Sequence, residues 1–120
     1  MQCTELKVRI GPIAYDVIVT SDPISGPEED KNGDSIIWGR FLAAEGSIKI
    51  RRGHFDSMRE AALHEVFHAM YYVSGLPNVK NPNEEQIVSL LSPYFTLFLM
   101  DDFNRDFLEF FGIGNNEKPN

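Results

Sequence analysis

The sequence predicts an α+β domain, with a small sheet in its first half and helices in its second half. In residues 6–20, polar and apolar side chains alternate with a period of two, and Gly11-Pro12 interrupts the alternation, which is typical of two strands joined by a turn. After Gly53 the apolar side chains recur at helical spacing instead. This change of period separates a β part from an α part.

The length and composition are those of one folded domain. The chain has 120 residues, of which 42% are hydrophobic and 24% charged, close to the average of globular proteins. We therefore predict a single domain over residues 1–120. It is mainly β over 1–53 and mainly α over 54–112, with a frayed tail at 113–120.

Three to four strands are predicted for the sheet. Residues 6–20 form a hairpin, and residues 35–41 and 46–50 form two further strands joined by a turn. Residues 21–34 collect proline, glycine and acidic side chains, so we expect a polar loop there. The sheet is expected to pack on the two long helices of the second half.

The first long helix is predicted from Ser57, whose pairing with Glu60 resembles a capping box, to the stop at Gly75. The second begins near Asn83. Because Pro93 lies inside that run, either the helix kinks there or a fresh helix starts there. A short closing helix is predicted over residues 106–111.

The charge and the apolar runs exclude several classes of partner. A net charge of -7 disfavours binding to nucleic acid, which needs clustered cations. The longest apolar stretch, residues 94–100, is much shorter than the roughly 20 residues of a membrane span, and the first residues do not resemble a signal peptide. We expect a cytoplasmic protein without nucleic-acid or membrane partners. Cys3 is the single cysteine, which excludes an intrachain disulfide and a cysteine-rich zinc site.

An HExxH motif, His64-Glu65-Val66-Phe67-His68, lies in the middle of the first long helix. Side chains four residues apart share one helix face, so both imidazoles can bind the same metal ion. Glu65 flanks that ion without binding it, which is the position of a general base that accepts a proton from a metal-activated water. The motif therefore predicts a zinc site with His64 and His68 as ligands.

A catalytic zinc site needs a third protein ligand. A third histidine of the metzincin kind is excluded because Ser74 stands in its place, and His54 does not easily share the helix face. A carboxylate from the second helix is the remaining solution. Glu84 points into the apolar stripe of that helix whereas Glu85 lies at its edge, so Glu84 is the preferred third ligand and Glu85 the alternative.

The residues from Leu63 to Ala69, followed by Asn83-Glu84-Glu85, resemble the small gluzincin-like HExxH zinc metallopeptidases of phages and prophages, which are distantly similar to the ImmA/IrrE group. The resemblance implies a minimal zincin-like fold, one Zn2+ per chain, and the cytoplasm of a host cell as location. It also supports Glu84, because a short Asn-Glu motif supplies the third ligand in thermolysin-like enzymes. The aspartate that follows this ligand in those enzymes is replaced by Val88 here, so the orientation of the imidazoles must come from elsewhere, and Asp101, Asp102 and backbone carbonyls are unranked candidates.

The expected function is that of a zinc-dependent endopeptidase, with Glu65 as general base and a protein or peptide as substrate. An exposed strand edge of the sheet is the expected recognition element. Two alternatives stay open: a catalytically inactive zinc-binding domain, and a metal-free interaction or regulatory module of phage origin that docks through residues 107–111. The oligomeric state is not predicted.

Overall fold

A computed structural model describes residues 3–24 and 37–113. It confirms the α+β class, with a four-stranded sheet and three α-helices. Most of the predicted polar loop, the start of the predicted third strand and most of the predicted tail lie outside the described residues. In chain order the elements are β1 (Cys3–Ile10), β2 (Ile13–Thr20), β3 (Gly39–Leu42), β4 (Ser47–Arg51), α1 (Phe55–Ser74), α2 (Glu84–Met100) and α3 (Arg105–Phe111).

The sheet is mixed, with the strand order β1-β2-β4-β3. The predicted hairpin is confirmed, since β1 and β2 pair antiparallel around Gly11, whose φ of +59° favours glycine. Strand β4 pairs parallel with β2 and antiparallel with β3. Among the described strands, β1 and β3 therefore lie at the two edges of the sheet.

The hydrophobic core lies between one face of the sheet and the helices. Along the strands, buried and exposed side chains alternate, so that about every second side chain points into this core. From α1 the small side chains of Ala62 and Ala69 let the helix approach the sheet closely. Fully buried members of the core are Val8, Ile10, Val17, Val19, Ile48, Ile50, Ala62, Val66, Ala69, Met70, Phe107 and Phe111.

Helix α1 begins two residues before the predicted cap. His54 is the N-cap residue and its side chain makes no capping hydrogen bond, so the predicted capping box of Ser57 and Glu60 is wrong. Ser57 instead lies in the first turn. The predicted stop is confirmed, because Gly75 takes the left-handed conformation, with a φ of +89°, that ends a helix.

Helix α2 begins as predicted and runs through Pro93 without a break. Asn83 and Gln86 form a capping box at its start. Every residue of the range 84–89 is exposed, and the packing of α2 on the core starts at Leu91. The predicted apolar stripe is therefore right for the second half of α2 and wrong for Ile87 and Val88, which are 36% and 50% exposed.

The closing helix α3 covers the core. Phe107 and Phe111 are fully buried there, so the interpretation of residues 107–111 as a docking segment is wrong. Within the described part of the chain, no helix has both the length and the apolar character needed to cross a membrane.

At the outer edge of β1, the backbone of Arg9 pairs with the side chain of Asn104, which is fully buried. Its Oδ1 accepts a hydrogen bond from the backbone N–H of Arg9 at 2.6 Å, and its Nδ2 donates to the carbonyls of Arg9 and Phe98 at 3.1 and 3.0 Å. The Arg9 guanidinium also donates two hydrogen bonds to Asp101, and these lower the pKa of that carboxyl group. The side chain of Asn104 thus replaces a neighbouring strand.

Replacing Asn104 by alanine should lower the free energy of unfolding by about 2–3 kcal/mol, because buried backbone groups of Arg9 and Phe98 lose their partners. Urea unfolding of Asn104→Ala, with the exposed Asn78→Ala as matched control, measures this difference. If the two variants unfold at the same urea concentration, Asn104 does not hold this edge.

Candidate metal centre

Helix α1 presents His64 and His68 on its open face and Glu65 on the face toward the sheet. The Nε2 atoms of the two histidines are 3.1 Å apart and their ring centroids 4.7 Å apart. Because the two residues are separated by one helical turn, the helix itself brings the imidazoles together. The structure therefore places the three predicted site residues of the motif side by side.

The carboxylate of Glu65 lies beneath β3 and is only 6% exposed. Burial raises the pKa of the Glu65 carboxyl group, while the nearby His64 and His68, the Phe41 N–H and Arg40 act in the opposite direction. A carboxylate with a raised pKa is a stronger base than one in water.

The close approach of β3 to Glu65 requires a glycine. A Cβ atom at Gly39 would lie 2.9 Å from Cγ of Glu65 and 3.2 Å from its Oε2. Gly39 is therefore a residue of the candidate site that the HExxH motif did not identify. An isolated glycine in a strand is the signal that could have found it, because such a glycine often marks a close approach of another group.

An open cleft runs between β3 and α1. Its central part has a volume of about 340 Å³, and both imidazoles and Glu65 line it together with β3. A neighbouring part of about 400 Å³ extends toward the start of α1, where Ser57 and Glu60 add polar groups. The volumes fall within the roughly 300–1,000 Å³ range of ligand pockets. The imidazoles thus face a space that can admit a ligand.

The third ligand is not brought to the imidazoles. Glu84 and Glu85 are both exposed in the first turn of α2, and Glu85 accepts a hydrogen bond from Ser89 at 3.0 Å. Across residues 3–24 and 37–113, no three histidine, cysteine, aspartate or glutamate side chains form a group that could hold a metal ion. The predicted inward direction of Glu84 is wrong, because α2 packs on the core only from Leu91 on. Its role as a ligand stays a prediction.

The donor set fits part of a zinc site. Two nitrogen ligands at 2.0–2.1 Å from a tetrahedral zinc ion are separated by about 3.3 Å, close to the 3.1 Å between the two Nε2 atoms. The imidazoles therefore suit two coordination positions. His54 is exposed at the N-cap of α1, and Asp101 binds Arg9. The predicted role of Asp101 in orienting an imidazole therefore has no support in these contacts.

Comparisons with known proteins give little information about this site. No family model matches the chain, and no solved structure matches it. A segment of 54 residues is 37% identical to a molybdenum cofactor sulfurase of Pyricularia oryzae. The match covers 45% of this chain and 6% of the length of that protein.

Replacing Gly39 by alanine should lower the free energy of unfolding by about 1–3 kcal/mol, because the added methyl group overlaps Glu65. Chemical unfolding of Gly39→Ala, Glu65→Ala and the double variant measures the free energy of interaction between the two positions. The Glu65→Ala background should relieve the cost of the methyl group by about 1 kcal/mol or more. Strictly additive effects would show that Gly39 and Glu65 are not in contact.

Proposed function

We propose that this protein is a zinc-dependent endopeptidase, similar to the small HExxH metallopeptidases of phages. The observation that carries the proposal is the arrangement of His64 and His68, whose Nε2 atoms are 3.1 Å apart, beside the buried Glu65 in an open cleft. Half-buried structural histidines would need neither the open cleft nor a buried carboxylate next to them.

His64 and His68 would hold the metal ion, and Glu84 is the proposed third ligand. When bound, zinc supplies a Lewis acid that polarises a carbonyl group and lowers the pKa of water. Glu84 can contribute only if the first half of α2 lies against α1. That half is exposed and lies outside the hydrophobic core, which α2 joins only at Leu91.

Glu65 is the proposed general base. Its side chain lies against Gly39 beneath β3 and lines the cleft beside the imidazoles. Burial makes it more basic than a carboxylate in water. In the proposed reaction Glu65 removes a proton from the attacking water and returns it to the amine that leaves.

The proposed substrate is an extended peptide that pairs with β3. The carbonyl of Trp38 accepts a hydrogen bond from Arg51 on β4 at 2.8 Å, so the alternation of an antiparallel pair directs the backbone groups of Gly39 and Phe41 to the other side, toward α1. A peptide added at β3 would cross the imidazoles, which supports peptide hydrolysis at this site.

The purified protein should bind about one zinc ion per chain, and His64→Ala or His68→Ala should abolish this binding by removing a ligand. Elemental analysis after dialysis measures the metal content. His54→Ala is the matched control, because this exposed histidine lies outside the site. Zinc retained by both His64→Ala and His68→Ala would contradict the proposed centre.

Glu65→Gln should keep the zinc and lower the rate of cleavage by at least about 100-fold, because the substitution removes the base but not a ligand. Digestion of unfolded casein, followed by mass spectrometry, measures the rate. Glu109→Gln is the control, because this exposed glutamate of α3 lies outside the cleft. Equal rates for Glu65→Gln and the wild type would rule out Glu65 as the base.

Glu84→Gln should weaken zinc binding by more than about tenfold, whereas Glu85→Gln should change it little. Competition with a fluorescent chelator measures both affinities. The two substitutions are adjacent and remove the same charge. A difference between their zinc affinities therefore reports coordination of the metal rather than a change of charge at the start of α2. The reverse order would identify Glu85 as the ligand, and no change in either variant would exclude the first turn of α2.

A metal-free interaction module is the second candidate. Large apolar side chains at the end of α2 favour it, since Leu97 and Met100 are 59% and 72% exposed. This function predicts association that depends on protein concentration and is unchanged by chelators. Sedimentation with and without a chelator separates it from the enzyme.

A further inference from the structure

A second, apolar space opens on the other flank of the imidazoles. We call it the apolar groove and define it by Phe67, Tyr71 and Leu91, which line it together with His64 and His68. Its volume is about 400 Å³. Phe67 and Tyr71 are 42% and 45% exposed, so two large aromatic side chains stand open to solvent beside the candidate centre.

We propose that the apolar groove is a specificity pocket for one large aliphatic or aromatic side chain of the peptide substrate, next to the bond that is cleaved. The proposal rests on the proposed peptidase function and adds the class of substrate residue that the site selects.

The groove adjoins the part of the cleft where the proposed substrate would lie. His64 and His68 line both the apolar groove and the central part of the cleft beneath β3. A peptide that lies along β3 with its reacting bond at the imidazoles therefore has a neighbouring side chain directly at the groove. Successive side chains of an extended peptide point to opposite sides, so a single residue enters it.

One wall of the groove, the Phe67 ring, is held in place before any ligand binds. Phe67 stacks on Phe95, with ring centroids 5.4 Å apart and an interplanar angle of 23°. Phe95 in turn stacks on Phe98, which is 1% exposed and packs against the buried Phe107. A wall anchored in the core loses little conformational entropy when a side chain packs against it.

The chemistry of the lining sets the preference. Apart from the imidazoles, the groove is lined by aromatic and aliphatic side chains, so a charged residue there would lose hydration without gaining a partner. The opposite flank of the centre is different, because Ser57 and Glu60 line it. The two flanks therefore select different substrate residues. A large apolar side chain of the substrate belongs on the flank next to α2.

The first test is cleavage of a random peptide library by the zinc-loaded wild type, with the products sequenced by mass spectrometry. Leucine, isoleucine, methionine or phenylalanine should be enriched about tenfold or more at one position next to the cleaved bond, and aspartate should be depleted there. Leu91→Trp, which fills the groove, should abolish this enrichment. Leu97→Trp, an equal change at an exposed position of the same helix, should keep it.

The second test does not depend on cleavage. N-acetyl-leucine amide should shift the NMR signals of Phe67, Tyr71 and Leu91 in the wild type, and N-acetyl-aspartate amide should not. Tyr71→Asp, a change at an exposed position that places a charge in the groove, should weaken the leucine response about tenfold. Binding without cleavage would refute the peptidase and keep the pocket. Cleavage without enrichment, or a leucine response outside the groove, would overturn the pocket.

Discussion

The close contact between α1 and β3 at Gly39 is the constraint on which the candidate site depends. A side chain at this position would meet Glu65 at 2.9 Å, so only glycine lets the strand lie directly over the carboxylate. The contact buries Glu65, while the imidazoles one position before and three positions after it stay in the cleft. One helix therefore carries both a desolvated base and two exposed nitrogen donors.

The rest of the fold supports this contact from both sides. Strand β4 holds β3 in register, and the small residues Ala62 and Ala69 keep α1 close to the sheet. Among the described strands, β3 is the sheet edge that faces the cleft, while Asn104 pairs with the backbone of Arg9 on the edge strand β1. On the other flank, Phe95 joins α2 to Phe67 on α1. The cleft is thus bordered by a strand edge on one side and by aromatic side chains on the other.

Local patterns in the sequence predicted much of this arrangement. Period-two alternation around Gly11-Pro12 predicted the hairpin, and the spacing of His64 and His68 on a helix predicted that their rings meet, because both features depend on residues close in the chain. The parallel pairing of β4 with β2 and the contact of Gly39 with Glu65 were not predictable, since both join residues far apart in sequence. The error at Glu84 has the same origin. A helical stripe tells which side chains share a face, but not how far along the helix a neighbour extends.

The central claim is that the imidazoles of His64 and His68 bind one zinc ion together. X-ray absorption at the zinc edge of the wild-type protein tests it most directly, because multiple scattering from imidazole rings identifies histidine ligands. The account predicts a spectrum with two imidazoles and additional oxygen donors. The His64→Ala, His68→Ala double variant should lose the imidazole signal. A spectrum with oxygen donors alone, or one unchanged by the double substitution, would contradict it.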